Sequence, residues 1–328
     1  ISLNKGLVAI FLLTLGLADA CGQAARSAPA LVPVTVQLHW THQAQSAGFY
    51  SADQNGYYAQ EGLAVSFLEG GPAVDVIAPV VDSRAQFGVA SCDGLIRARA
   101  NGKTARAIAV IYRRSPIVFM ALASSGILRP QDFAGKTIEV GRDGRGILDA
   151  VTGRVGMRPD QYTVAQESPD LTPLFTGKVQ IRTVSMTNEV LSAESTGFKV
   201  NLIFPDDYGV HFCTDAIFIS DATLTTQPDL VRRFLRATLK GWAYAVENPA
   251  RVGDLIAQYN PNANVAHENA AMFASLPLIL TDGQPIGWMQ PDLWTGMERT
   301  LRRQGVLTTP LDVSQVYTLQ FVQEIYPR

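Results

Sequence analysis

From Val34 to Trp40, the apolar residues Val34, Val36, Leu38 and Trp40 alternate with Thr35, Gln37 and His39. This is the period-two pattern of a half-buried strand. Gln43-Ala44-Gln45-Ser46-Ala47-Gly48-Phe49-Tyr50 then predicts a strand-to-helix turn and a helix closing near Asn55-Gly56, where glycine can take the left-handed conformation of a helix end. A second alternating strand, Leu63 to Leu68, precedes Gly70-Gly71. This β-α-β opening puts Trp40 and the start of the helix at the carboxyl end of the first strand, where open α/β sheets bind ligands.

The pattern continues with a helix over 74–81, a strand over 86–90, a helix capped by Ser91 and ending at Asn101-Gly102, and strands over 107–112 and 117–123. The texture changes at Ser124-Ser125-Gly126, which predicts a first crossover between lobes. A strand over 137–141, helices over 147–155 and 187–195, and a strand over 198–204 form a second unit. The breaker-rich Pro205-Asp206-Asp207-Tyr208-Gly209 predicts the crossover back. After a strand over 216–220 comes a long helix opened by Pro228 and stopped by Asn248-Pro249, with Val231, Phe234, Leu235, Thr238 and Trp242 on one face. Helices are expected over 250–258, 266–276, 292–304 and 314–326. By pattern alone the chain is α/β with a helical C-terminal part.

Composition narrows the function classes. The formal net charge of -2, from 27 Lys and Arg against 29 Asp and Glu, gives no polycationic field for nucleic acid. Lys5 followed by the apolar run Leu7 to Leu17 has the form of an export signal and is too short to span a bilayer. Residues 1–20 are therefore expected to be a signal peptide. Ala18-Asp19-Ala20-Cys21 resembles a bacterial lipoprotein cleavage site, with Cys21 as the lipidated residue and 21–33 as a tether. Of the other cysteines, Cys92 and Cys213 are expected to be buried and free, because they are far apart in sequence. His39 and His42 lack a third ligand of zinc-binding spacing and are read as ordinary histidines at a strand edge. Gly144-Arg145-Gly146, with Arg142 nearby, is read as a solvated turn. No metal or cofactor is expected.

Trp40, the run from Gln43 to Tyr50, Gly56-Tyr57-Tyr58-Ala59-Gln60-Glu61-Gly62-Leu63 and Gly70-Gly71 together resemble the opening of a solute-binding family. Its members serve ABC importers for sulfonates, nitrate, thiamine pyrimidine precursors and riboflavin, and it includes the pyrimidine synthases of fungi. The resemblance continues through Gly135-Lys136-Thr137, Thr187-Asn188-Glu189, Asp207-Tyr208-Gly209-Val210 and Gly241-Trp242-Ala243-Tyr244. It implies the two-lobed periplasmic-binding-protein fold of type II, each lobe a mixed sheet flanked by helices. Lobe 1 would comprise 34–124 and 207–328, and lobe 2 would comprise 125–206. It also implies hinge closure on a ligand and ABC permease and ATPase subunits as partners. A monomer is expected, exported and touching the membrane only through a lipid anchor. Catalysis is not expected, because the fungal synthases are marked by a cysteine-rich run that this chain lacks.

A site for a flat ring needs aromatic faces and a few polar groups at its edge. The aromatic candidates beside turns or strand ends are Trp40, Tyr50, Tyr112, Tyr208 and Trp288. The resemblance turns Asn188 and Glu189 into the cleft, where a carboxylate accepts from a ring N–H and an amide both donates and accepts. A carboxylate there also suits a helix start with no ligand at all. Gln43, Gln45, Asp93, Ser115 and Asp215 complete the set. Acids and amides with few cations favour a neutral or amine-bearing N-heterocycle, a thiamine-type pyrimidine ahead of riboflavin, over a sulfonate-, nitrate- or taurine-type anion.

Overall fold

The computed structural model describes residue 1, residues 30–141 and residues 144–327. Cys21, most of the expected signal peptide and tether, and Arg142 lie outside the described residues. The body from Leu31 onward contains two five-stranded sheets. The first begins with β1 (Val32–Gln37), β2 (Leu63–Leu68), β3 (Phe87–Ala90) and β4 (Ala105–Tyr112). The alternation in β1 buries Val34 and Val36, and the strand pairs in parallel with β2 from Val32↔Leu63 to Gln37↔Leu68. Val32 and Pro33, expected in the tether, are thus already in the sheet.

The second sheet is built from β5 (Ile117–Leu122), β6 (Thr137–Val140), β7 (Thr163–Gln166), β8 (Ile181–Ser185) and β9 (Val200–Ile203), in the order β7-β6-β8-β5-β9. β10 (Thr214–Ser220) returns to the first sheet and inserts antiparallel between β3 and β4, giving β2-β1-β3-β10-β4. Because β5 already pairs with β8 and β9, the first crossing lies at 113–116 and not at the expected Ser124-Ser125-Gly126. The second crossing is 204–213. The two crossings lie side by side: the Ser115 N–H donates to the Phe212 carbonyl (2.9 Å), and Arg114 pairs with Asp206 at 2.6 Å. β7 and β8, for which the pattern gave no strand, complete the second sheet.

The helices that position the cleft are α1 (Ala47–Gln54), α2 (Cys92–Ala100), α3 (Gly144–Arg154), α4 (Glu189–Ser195), α5 (Pro228–Glu247), α6 (Val265–Ile279) and α7 (Pro291–Arg303). α5 buries the predicted stripe Val231, Phe234, Leu235, Thr238 and Trp242, with Phe234 stacked on Phe87 and the Trp242 end packed on α1. This contact needs glycine on both helices. A Cβ at Gly48 would lie 2.1 Å from the Trp242 ring, and one at Gly241 2.2 Å from the Gly48 carbonyl. The helix expected over 314–326 is shorter, Gln320–Ile325, preceded by a 3-10 turn at Val313–Gln315.

Candidate functional site

The first wall of the cleft grows from the carboxyl end of β1. The chain turns there through Trp40 and a 3-10 turn, Ala44–Ser46, before α1. Gly70 lets the next loop approach closely, since a Cβ there would meet the His39 carbonyl at 2.3 Å. The Gln45 amide donates to both carboxylate oxygens of Asp215 (2.8 and 3.0 Å), and the Gln43 amide donates to the Gln45 carbonyl oxygen at 2.8 Å. His39 Nδ1 lies 3.3 Å from the same Asp215. Asp215 is buried and holds a left-handed backbone (φ 51°), a strained state that aspartate tolerates better than most residues. The turn itself is pinned where the Ala44 N–H donates to Glu268 on α6 (2.7 Å).

Two residues before Asp215, Cys213 forms a disulfide with Cys92 at the start of α2, with Cα atoms 5.5 Å apart. The expectation of free thiols is thereby corrected. Their separation in sequence says nothing of the antiparallel insertion that brings β10 beside β3. The bridge fixes Asp93, the next residue, on the cleft wall, where it is ion-paired with Arg97.

The second wall is made by the ends of β6 and β8 and by the start of α4. The Ser185 N–H donates to Glu189 (2.9 Å), and the Asn188 amide donates to the same carboxylate (3.3 Å). The Asn188 oxygen in turn accepts from His267 Nε2 on α6 (2.8 Å), a bond that spans the two lobes. Glu167 reaches the wall beside Gly141, where a Cβ would collide with its carboxylate. Burial pushes the Glu167 carboxyl above the usual carboxylate range, and Arg182 (3.2 Å) partly offsets this. Beneath the wall, Arg182 also pairs with the buried Glu139 at 3.4 Å.

Between the walls lies a narrow cavity with about 90 Å³ of room for the centre of a water-sized sphere. Trp40, Gln43, Gln45, Asp93, Ser115, Asn188 and Glu189 all line it. Asp215 stands directly behind Gln45. Three aromatic candidates belong to the core instead. Tyr50 is fully buried, hydrogen-bonded to His42 (2.5 Å) and stacked on Tyr259. Tyr112 donates to Ser275 at 2.9 Å, and burial raises its pKa far above the usual phenol range. Trp288 is buried in the first-lobe core. Tyr208 belongs to the turn Pro205–Tyr208 of the second crossing and packs on the core there, outside the cleft lining. Sequence reasoning passed over His39, Ser91, Glu167, Thr183 and Ser185, which also line the cleft. The signal available for the last two was the β-branched run of β8. Arg145, in the glycine-rich turn, is exposed and paired with Asp149 at 3.0 Å.

The NMT1/THI5-like family model matches residues 43–252, which include the Gln43–Gln45 turn, both crossings and Asn188-Glu189. The chain belongs to this family. Over 317 residues it is 29% identical to the riboflavin-binding protein RibY of Chloroflexus aurantiacus, covering 93% of this chain and 90% of that one. It is 25% identical to a formylaminopyrimidine-binding protein of Halalkalibacterium halodurans over 95% of this chain and 97% of the relative. Family relatives also include 4-amino-5-hydroxymethyl-2-methylpyrimidine phosphate synthases. Among solved structures, the alkanesulfonate-binding protein SsuA of Xanthomonas axonopodis pv. citri superposes with a TM-score of 0.69 at 14% identity, over 89% of this chain and 99% of that chain. The fold is that of the two-lobed periplasmic binding proteins, with two mixed sheets flanked by helices. No described helix is long and apolar enough to cross a membrane.

Proposed function

We propose that this protein is an extracytoplasmic solute-binding protein that closes on a flat nitrogen heterocycle, a thiamine-type pyrimidine or riboflavin, and delivers it to the permease and ATPase of an ABC importer. The observation that carries this reading is the composition of the cleft wall. It holds the carboxylates Asp93, Glu167 and Glu189, the amides Gln43, Gln45 and Asn188, the indole of Trp40, and no lysine or arginine among the described lining residues. Such a wall repels a sulfonate or nitrate, which needs positive charge and several donors. It complements the edge of an aminopyrimidine, or the pyrimidine-ring edge of an isoalloxazine, where N–H donors alternate with acceptors. The relatives named for riboflavin and for formylaminopyrimidine, matched along nearly their whole length, point to the same ring class.

The Cys92–Cys213 disulfide supports an oxidising compartment. The reading includes a lipid anchor at Cys21 and a monomeric protein. The reading is of binding without turnover; relatives named as binding proteins support it, as does a sequence of three dispersed cysteines in place of the cysteine-rich run that marks the fungal synthases.

Thermal-shift measurements with riboflavin, 4-amino-5-hydroxymethyl-2-methylpyrimidine, taurine and nitrate test this. A ligand at a hundred times its dissociation constant stabilises the folded state by about 2.7 kcal/mol. One of the two heterocycles is expected to produce that shift, and Trp40→Ala and Glu189→Ala to abolish it. A shift with taurine or nitrate alone overturns the reading.

A further inference from the structure

A second, more open space of about 460 Å³ lies on the first lobe beside the cleft, and His39 and Ser91 line both. One side is the face of α2 that carries Gly94, Arg97 and Asn101. The other is the segment 72–77 that follows the glycine pair. The chemistry of this chamber differs from that of the cleft. Arg97 contributes a guanidinium that is about one-third exposed (34%) while paired with Asp93. Lys103 is exposed and has no ion pair among the described residues. The one acid of the 72–77 segment, Asp75, accepts from the Ile77 and Ala78 N–H groups on one carboxylate oxygen (2.9 and 3.0 Å), which leaves the other oxygen to face the space as an acceptor for hydroxyls.

A narrow, acidic, aromatic cleft is therefore adjoined by a wider space whose largely apolar lining carries the Ser91 hydroxyl, the Asn101 amide, the Asp75 carboxylate and the cations Arg97 and Lys103. A bare ring has no use for the second space. We propose that the chamber is a subsite for a polyhydroxylated chain carried by the bound heterocycle, so that the ring lies between Trp40 and Asn188-Glu189 while the chain passes Ser91 towards Asn101 and Lys103. The inference rests on the heterocycle reading above and selects within it. Among N-heterocycles the site prefers one bearing a hydroxylated chain to the same ring without it. Hydroxyls that donate to and accept from such groups replace the water they displace, whereas a truncated ligand leaves those groups to solvent.

The test compares riboflavin with lumiflavin, the same isoalloxazine bearing a methyl group in place of the ribityl chain, by titration of flavin fluorescence against the full protein. Riboflavin is expected to bind at least tenfold more tightly. Ala73→Trp, which adds bulk at an exposed position lining the chamber, is expected to remove that advantage and leave lumiflavin affinity unchanged. Lys103→Ala is expected to lower riboflavin affinity alone. Equal affinity of the parent protein for the two flavins overturns the subsite and leaves the ring reading standing. Binding of the aminopyrimidine with neither flavin retained has the same consequence. Failure of both flavins and of the aminopyrimidine to bind overturns the ring reading itself.

Discussion

The two walls of the cleft are built on different principles. In the first lobe, the groups that face the cavity are fixed by partners far away in the chain: Gln45 by Asp215, Ala44 by Glu268, and Asp93 through the bridge from Cys92 to Cys213. In the second lobe, apart from the Asn188–His267 bond and the Glu167–Arg182 pair, the facing groups are fixed by close neighbours. Glu189 accepts from Ser185 and Asn188, and Ser185 and Thr187 share a hydroxyl contact at 2.8 Å. A wall assembled from distant segments exists only when the lobe is folded, and its polar groups serve stability and recognition together. The part of the second wall held within the Ser185–Glu189 turn can exchange its residues at small cost to the fold, so recognition can be altered there almost alone.

The disulfide gives the largest test of that contrast. It closes 121 residues, for which the chain-entropy model gives about 5 kcal/mol. The Cys92→Ser, Cys213→Ser double variant is expected to lose several kcal/mol in urea denaturation and to bind ligand more weakly, because Asp93 and Thr214 flank the bridge on the cleft wall. Unchanged stability in the double variant would show that the first wall does not depend on its long-range ties.

The two carboxylates at the centre of the walls give a sharper and smaller test. Asp215→Ala leaves the half-buried Gln45 amide without its acceptor and places alanine in a left-handed backbone, which is expected to cost about 2 kcal/mol of stability. Glu189→Ala removes a carboxylate from the first turn of a short helix, at a cost of about 1 kcal/mol or less. Ligand affinity is expected to fall at least tenfold in both. Chemical denaturation set beside ligand titration separates the two effects, and equal stability losses in the two variants would erase the distinction between the walls.

This contrast also explains what could be read from the sequence. Trp40, Gln43 and Gln45 were legible because a β-α-β order puts that turn at the carboxyl end of a strand, whatever the rest of the fold does. Asn188 and Glu189 were legible only through family resemblance, since a local cap and a ligand contact look alike in sequence. Tyr50 and Tyr112 misled because closeness to a turn or strand end does not fix direction, and both side chains point into the first-lobe core. β8 escaped notice because Arg182 interrupts its apolar run, and the partners that make a buried arginine tolerable, Glu139 and Glu167, lie in other segments. The cysteine pairing was hidden for the same reason, since only the antiparallel insertion of β10 beside β3 brings the two residues together.

The smallest expected effect concerns Glu268, the residue that ties the 3-10 turn of the first wall to α6. Burial pushes its carboxyl above the usual range, opposed by the Ala44 N–H and by the charge of His267. The folded protein therefore holds this proton more tightly than the unfolded chain does, so stability from this group falls as pH rises between the ordinary carboxylate value and the raised folded one. Below that window the penalty is absent, and above it the penalty is complete. Glu268→Gln keeps an acceptor for the Ala44 N–H but cannot ionise. Its melting temperature relative to the parent protein is thus expected to increase from about pH 4 to about pH 8. Burial keeps Tyr50 and Tyr112 neutral across this range, and every other ionisable group, His267 included, is common to the parent and the variant, so the slope of their difference reports the carboxylate together with its interaction with His267. A difference that does not change with pH would mean that the Ala44 contact fully offsets the burial of Glu268, and that the turn is held without electrostatic cost.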